Sequence, residues 1–434
     1  MLLRFKICNF LSFFEEVEFN MFPNLKRKHF SNHIYDYKIP LLKMASIHGA
    51  NAAGKSNFIK ALIFLRSFVL DGKFLQTINL QDYFFKLVKD VQDTISFEIE
   101  FLSNENYYIY SLELAENKIK ETLYLSGLGE KDDEILFERN GDTIDEKYLQ
   151  NNVPVKFLLL KNKRTSILLL QQNYPIFKRN IRQHIKSIND WFSRQLEIVT
   201  LEAQIPLLLT VMKQNPDLLL FTNELLSSVK ISDTLTILET PLDKWAKEKG
   251  AQLAQKIFDQ SSIENNGSLI SVNNKIVEFD IVKEGDIALV REFLFTHKGI
   301  DGYSQQMKIV SQSDGTIRLL MLIPAIYEAM KEGKTVVIDE IENSIHPNLM
   351  FDVIRFFSRQ KTNGQLIFTT HLTKLLNQQE LISPDEAWIC DRTRGFTQMY
   401  SFNDYKIHNT ISMENGYIEG RYGGIPDELS IVIE

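Results

Sequence analysis

Residues 49–56 read Gly-Ala-Asn-Ala-Ala-Gly-Lys-Ser, and no other stretch of the chain restricts its fold so tightly. The string fits Gly-x-x-x-x-Gly-Lys-Ser. Ahead of it, Leu41 to Ile47 is an apolar run of strand length. Behind it, Phe58, Ala61, Leu62, Leu65 and Val69 fall at helical intervals. Strand, tight turn and helix start together predict a loop that cradles phosphate. Gly49 and Gly54 let the backbone come close, and the loop N–H groups and the helix N-terminus face anionic oxygens. Asn51 lies within the loop. Lys55 is expected at the β- and γ-phosphates and Ser56 on Mg²⁺. A Gly/Ala-rich turn with no ligand is the plain alternative, and the flanking strand and helix argue against it.

Four downstream stretches extend the same chemistry. The apolar strand Thr335-Val-Val-Ile delivers Asp339 and Glu340 at its carboxyl end. There Asp339 would hold a metal through water and Glu340 would position an attacking water; alone, the pair could be a solvated turn. Gln365-Leu-Ile-Phe-Thr-Thr runs into His371, at the strand end where ligands bind in parallel sheets. His371 could touch a γ-phosphate or be a satisfied core histidine. Glu342-Asn-Ser344-Ile-His346-Pro347 precedes a helix that Pro347 suits, and its bland reading is a simple helix start. Ser311-Gln-Ser313-Asp314-Gly315-Thr316 opens another apolar helix. A helix N-cap explains it fully, and a second phosphate-binding helix start is the functional reading.

Composition narrows the setting. Apolar content of 44% and a charged fraction of 24% are ordinary for a globular chain. No apolar run approaches the roughly 18 residues of a membrane span, and the N-terminus lacks a signal-peptide pattern. A cytoplasmic protein without a membrane partner is expected. Cys8 and Cys390 lie in strand-like runs and read as buried free thiols. With a net charge of −7, binding of nucleic acid would need a local patch. Lys156, Lys161, Lys163, Arg164, Lys178, Arg179, Arg182 and Lys186 follow one another without an intervening acid. They could track a phosphate backbone, grip an acidic protein, or form a solvated helical face.

Along the chain, Leu3 to Phe19 reads as a strand pair around Asn9-Phe10-Leu11-Ser12-Phe13. Ile95–Phe101, Tyr107–Leu114 and Ile119–Leu125 read as a meander, with a further short strand at Ile135–Arg139. Helical spacing dominates from about Tyr148 to Gln260. Alternation returns at Lys275–Val282 and runs through a turn to Phe295. Thr335–Ile338, Pro347–Phe357 and Gln365–Thr369 make a βαβ unit and so a parallel sheet. Three parts are expected: an N-terminal lobe at 1–147, a helical insert at 148–265 and a C-terminal lobe at 266–434.

Taken in order, these motifs resemble an ABC-type ATPase head of the branch that includes SMC, RecF and OLD-like proteins. The resemblance implies an α/β fold: a mostly parallel sheet with the phosphate loop, an antiparallel β subdomain and a helical insert. It implies ATP and Mg²⁺ as ligands, ATP hydrolysis, and Asn57 as a member of the nucleotide site. Ser313, Asp314 and Gly315 become the signature that touches the γ-phosphate of a second subunit. Ser344 and His346 fall in the D-loop, and His371 is the switch histidine. Asp314 stands where the usual signature has glycine, a departure shared with OLD-like ATPases. The Q-loop glutamine stays open between Gln76, Gln81 and Gln92. One loop and one signature per chain imply at least a homodimer. Within the branch the chain is similar to the ATPase subunits of PARIS-type anti-phage systems. That implies a sensor and scaffold controlling a separate toxic effector, a Toprim nuclease, under a phage-derived trigger. A RecF- or SMC-like repair ATPase that clamps DNA is the other reading. A transporter subunit fits poorly because of the long insert. A GTPase fits poorly because Asn162-Lys163-Arg164-Thr165 lacks the guanine-reading Asp. Too few residues follow His371 for a fused Toprim domain.

Overall fold

The computed structural model describes residues 1–27, 32–90, 92–151, 153–200, 208–249, 268–269, 279–284, 287–378, 380–392, 394–405 and 412–425. The chain divides into two compact units. One comprises Met1–Thr200, Glu328–Glu342 and Phe351–Glu434, the other Leu201–Tyr327 and Asn343–Met350. The division falls inside the helices Asp314–Lys331 and Pro347–Arg359.

Among the described residues the first unit holds two large sheets and a two-stranded one, Ile34–Tyr35 with Leu41–Leu42. Leu196–Val199, Thr335–Ile338, Gln365–Thr369, Met44–His48 and Ala387–Asp391 run parallel in that order, and Gln398–Ser401 closes the edge antiparallel. Thr335–Ile338 and Gln365–Thr369 are buried at every position, as a sheet covered on both faces requires. The second sheet is antiparallel and orders Thr143–Ile144, Glu134–Asn140, Lys118–Leu125, Asn106–Ala115, Thr94–Ser103, Leu2–Cys8 and Val17–Asn20. Thr94–Ser103 alternates between buried and half-buried along its whole length, the period-2 pattern of a strand with one face inward.

The helix Lys55–Leu70 is apolar nearly all round, the mark of an element covered on several sides. Phe58 meets Phe5 and Phe19 of the antiparallel sheet, and Phe64 meets Phe10, Phe74, Tyr83 and Phe97. Phe19 also packs on Trp388 of the parallel sheet. One continuous core therefore includes residues of both sheets and of the helix.

The boundary expected at 147 does not separate folding units. Val155–Lys161, Ile167–Asn173 and Arg179–Asp190 are helices, as the spacing suggests, but they belong to the first unit. A buried ion pair holds them. Arg139 Nη1 donates to Glu121 Oε2 at 2.7 Å and to the Thr165 carbonyl at 2.7 Å, while Glu121 also accepts from Tyr110, Ser166 and the Ile167 N–H. After a single π turn at Trp191–Gln195, Leu196–Val199 enters the parallel sheet beside Thr335–Ile338.

The second unit is also not purely helical. Leu208–Gln214 and Pro216–Ser228 are helices, the latter capped by Asn215 Oδ1 on the Leu218 N–H with Pro216 in its first turn. Thr234–Pro241 is a strand along Ile287–Lys298. The opposite edge of Ile287–Lys298 is shared between Phe279–Glu284 and Ser304–Lys308, and Ser268–Leu269 extends the sheet. Leu242, Trp245, Ile281 and Val290 form its core. The helix expected over Trp245–Phe258 is seen as Leu242–Lys249, and the remainder lies outside the described residues, as do 275–278 and the 285–286 turn. Among the described residues no helix is long and apolar enough to cross a membrane.

Candidate active site

Met44–His48 ends at Gly49, and the helix begins at Lys55. Gly49 has φ +155° and Gly54 +115°, values that side chains rarely adopt. A Cβ on Gly49 would lie 2.6 Å from the Cys390 carbonyl oxygen, and one on Gly54 would overlap Thr397. Both positions demand glycine twice over. The Lys55 ammonium is buried in the loop and donates to the carbonyls of Gly49 at 2.7 Å and Ala50 at 3.0 Å. Desolvation lowers its pKa, opposed by Cys390, Glu340, Asp339 and Glu342. Asn51 is exposed at the loop tip, and Ser56 is half-buried at the helix start.

Asn57, which the resemblance implies in the nucleotide site, has a protein partner next to the loop. Its Nδ2 donates to Ser12 Oγ at 2.8 Å. Thr397 Oγ1 lies 2.7 Å from the same Ser12 oxygen and 2.8 Å from the Ala53 carbonyl. Asn57, Ser12 and Thr397 thus brace the loop from behind. Asn9 explains the rest of the N-terminal turn: its Nδ2 donates to the carbonyls of Gln92 and Thr94, and its Oδ1 accepts the Phe85 N–H.

The acidic strand end is built through Thr369. Its hydroxyl donates to Asp339 Oδ1 at 2.6 Å and accepts the Glu340 N–H at 2.7 Å. Glu340 sits at φ +47°, a left-handed conformation costly for a side-chain-bearing residue and typical of functional turns. His371 Nε2 is 3.9 Å from Glu340 Oε1, and the His371 N–H donates to Glu342. Burial and then Lys55 hold the His371 pKa below its ordinary value, against the pull of Glu342, Glu340 and Asp339. His48, fully buried at the strand end, is pushed down to about 3 by desolvation, with Lys55 and His371 adding to it. Cys390, buried beside Gly49, is pushed up to about 12 and stays a thiol. The phosphate loop, Asp339, Glu340 and His371 are all in the first unit and act on one another electrostatically.

Ser313, Asp314, Gly315, Ser344 and His346 lie in the second unit. Ser313 Oγ accepts the Thr316 N–H at 3.2 Å, the N-cap of Asp314–Lys331, and Ser313 and Asp314 are exposed. A Cβ on Gly315 would lie 2.5 Å from the Ser344 carbonyl, so this helix start packs on the D-loop segment without room for a side chain. Ser344 is left-handed at φ +61°. His346 Nδ1 accepts the Asn348 N–H at 3.3 Å, the bland helix-start role. Of the open Q-loop candidates, Gln76 bonds the Gly72 carbonyl and Gln81 bonds Glu116.

Sequence reasoning missed Ser12, Thr397, Thr369, Glu342 and His48. Glu342 carries a readable signal, an acid two residues past the Asp-Glu pair. Ser12 and Thr397 carry none, because they meet across 385 residues of chain. The oxygen donors Ser56 and Asp339 suit a Mg²⁺ that takes its remaining ligands from phosphate and water. Among the described residues no three His, Cys, Asp or Glu side chains gather as a protein-only metal cage.

Three solved structures resemble the chain loosely. The SMC head bound to the C-terminal winged-helix domain of ScpA is 15% identical with a TM-score of 0.43, covering 96% of this chain and 99% of that one. The SMC head domain from Thermotoga maritima is 13% identical at 0.43, covering 92% and 98%. An SMC head with an extended coiled coil, bound to the C-terminal domain of ScpA derived from Pyrococcus furiosus, is 14% identical at 0.37, covering 97% and 98%. No curated protein matches the sequence. One family model, described as "AAA domain, putative AbiEii toxin, Type IV TA system", matches residues 44–377, and the chain belongs to that family.

Proposed function

We propose that the protein binds and hydrolyses ATP between two copies of itself and uses the cycle to control a separate toxic effector in an anti-phage system. The observation that carries the ATPase reading is the convergence of a glycine-dependent loop, a buried Lys55 and a strained Glu340 held by Thr369. The family's description, "putative AbiEii toxin, Type IV TA system", supports a place in a toxicity system, and by its wording it attaches the toxin to this chain's own family and not to a partner. The resemblance to PARIS-type ATPase subunits supports a Toprim nuclease as the separate effector and a phage product as the trigger.

In this reading the loop N–H groups, Lys55 and the helix start hold the triphosphate. Ser56 and Asp339 hold Mg²⁺, which neutralises the phosphate oxygens. Glu340 orients the attacking water and accepts its proton. Its left-handed backbone is held by the Thr369 bond before substrate arrives, so little reorganisation remains at the moment of reaction. His371, at the strand end beside Glu340, donates to the γ-phosphate. The exposed Ser313–Gly315 helix start of a second copy completes the pocket, and ATP therefore joins the subunits.

The test is complementation. Lys55→Ala and Gly315→Ala chains are each expected to be inactive alone. Mixed, they form heterodimers with one intact composite pocket and regain ATP turnover. No recovery on mixing, with both variants folded and dimeric, sinks the in-trans signature. Glu340→Gln should bind ATP yet turn over roughly 10²–10³-fold more slowly; native turnover sinks the catalytic assignment. Co-purification with its operon neighbours then tests the effector. A DNA-clamping repair ATPase is the second reading, favoured by seven exposed cations among the eight of the 156–186 run. Strong stimulation of turnover by DNA without a co-purifying partner would select it.

A further inference from the structure

Residues 416–424 read Gly-Tyr-Ile-Glu-Gly-Arg-Tyr-Gly-Gly, and the structure gives this glycine-dense stretch a place beside the phosphate loop. Met413–Ile418 is a short helix. The chain after it turns over the carboxyl end of Ala387–Asp391, the strand that pairs with Met44–His48. Gly423 and Gly424 are both left-handed at φ +69°, a conformation that glycine enters without steric cost. The Gly424 N–H donates to Asp391 Oδ1 at 3.2 Å, and the Tyr417 hydroxyl donates to the Gly424 carbonyl at 2.7 Å. The Tyr400 hydroxyl donates to the Tyr422 carbonyl at 2.6 Å. These bonds fix the turn on the sheet.

Two contacts carry the turn to the loop. A Cβ on Gly424 would lie 3.0 Å from the Cys390 carbonyl oxygen and 2.5 Å from Ile389 Cγ2. The same Cys390 oxygen is approached by Gly49, whose Cβ would lie 2.6 Å from it. One carbonyl is thus touched by the first glycine of the phosphate loop and by the 412–425 segment. The Gly49 carbonyl in turn accepts the Lys55 ammonium at 2.7 Å. The second contact is the Tyr417 ring, which meets His48, the last residue of the loop's own strand, edge-on with centroids 6.3 Å apart. Tyr417, His48, Ile389 and Cys390 are all buried. A close-packed interior passes a displacement on to its neighbours.

We propose that residues 412–425 form a strap that sets the phosphate loop, with Tyr417 and Gly424 as positioning residues acting on ATP through Cys390 and Gly49. With the strap seated, Gly49 and Lys55 stand in the geometry that receives the triphosphate. With it lifted from Cys390, the loop loses that support and ATP binds more weakly. The coupling is reciprocal, so bound ATP holds the strap down. The proposal rests on the reading of the loop as an ATP site and adds a control point outside the groups that touch nucleotide.

The experiment titrates ATP calorimetrically into the full chain in a Glu340→Gln background, which suppresses turnover, and follows amide hydrogen exchange across 413–424. Gly424→Ala sets a methyl group against Ile389 and Cys390 and should raise the ATP dissociation constant roughly 5- to 150-fold. Tyr417→Phe keeps the ring against His48 and removes only the bond to Gly424, so a rise of roughly two- to tenfold is expected. In the parent chain ATP should slow exchange across 413–424, and adding Lys55→Ala should abolish that protection. Should Gly424→Ala fail to fold, Tyr417→Phe and the exchange measurement decide. Parental ATP affinity in the folded variants, with only their melting temperatures lowered, overturns the proposal and leaves the strap a purely structural element. ATP binding that leaves exchange across 413–424 unchanged overturns it too. If the parent chain binds no ATP, the ATPase reading falls and the strap with it; if the parent binds ATP and the variants match it, the strap alone falls.

Discussion

Replacing Thr397 with valine removes one buried hydroxyl that braces the phosphate loop. In the native chain that oxygen is 2.8 Å from the Ala53 carbonyl and 2.7 Å from Ser12 Oγ, and it is shut away from solvent. Valine keeps the branched shape but leaves the Ala53 carbonyl without this partner. An orphaned buried polar group costs about 1–3 kcal/mol. If the loop relaxes to recover that energy, ATP binding loses it instead, and the dissociation constant rises by roughly 5- to 150-fold. The measurement is calorimetric titration of ATP into Thr397→Val in a Glu340→Gln background, which suppresses turnover, with urea unfolding alongside. Thr397→Ser keeps the hydroxyl and should bind ATP within a few-fold of native. A cycle with Asn57→Ala, whose amide donates to the shared Ser12 oxygen, should show coupling of about 0.5–3 kcal/mol. Native affinity in the valine variant with reduced affinity in the serine variant refutes this account. It would mean that the methyl group packed on Gly54, not the hydroxyl, shapes the loop.

Three further outcomes are expected. Thr369→Val severs the link between Asp339 and the Glu340 N–H, so kcat should fall about tenfold to a hundredfold with KM nearly unchanged; an equal change in ATP affinity would show that Thr369 supports binding instead. Arg139→Met strands the Glu121 carboxylate at 0% exposure and should cost about 3–5 kcal/mol in urea unfolding, partly recovered when Glu121 is also made apolar. His48 is held near 3 in the folded chain against about 6.5 unfolded, so the unfolded state binds the extra proton first. Stability from this group is complete above about pH 6.5 and declines as pH falls toward 3, reaching a loss of about 2 kcal/mol by pH 5. His48→Gln should flatten that part of the pH–stability curve, and an unchanged slope argues against a buried neutral imidazole.

The parts of the site that are legible in the sequence are those whose signal is local. The loop announces itself through eight consecutive residues, and Asp339 and His371 through the apolar strands that end at them. The antiparallel strands were equally readable, because alternation over ten residues as in Thr94–Ser103 has no helical counterpart. Long-range partners were not. Leu196–Val199 is four residues long, and only Thr335–Ile338, far along the chain, makes it part of a sheet. The helices after Tyr148 looked like an insert because the Arg139–Glu121 pair that binds them to the sheet has no periodicity. The resemblance implies Asn57 in the nucleotide site, and its bond to Ser12 emerges only when the N-terminal turn folds against the loop. In Thr234–Pro241 the alternation was present, but the surrounding helical texture concealed it.

The strand that carries the phosphate loop is flanked by Gln365–Thr369 on one side and Ala387–Asp391 on the other. Both neighbours are synthesised more than three hundred residues after Met44. Until a ribosome has delivered them, the loop has no scaffold, and closing so large a stretch of chain is slow. A nascent chain that still lacks these two strands therefore lacks the sheet on which the loop is built.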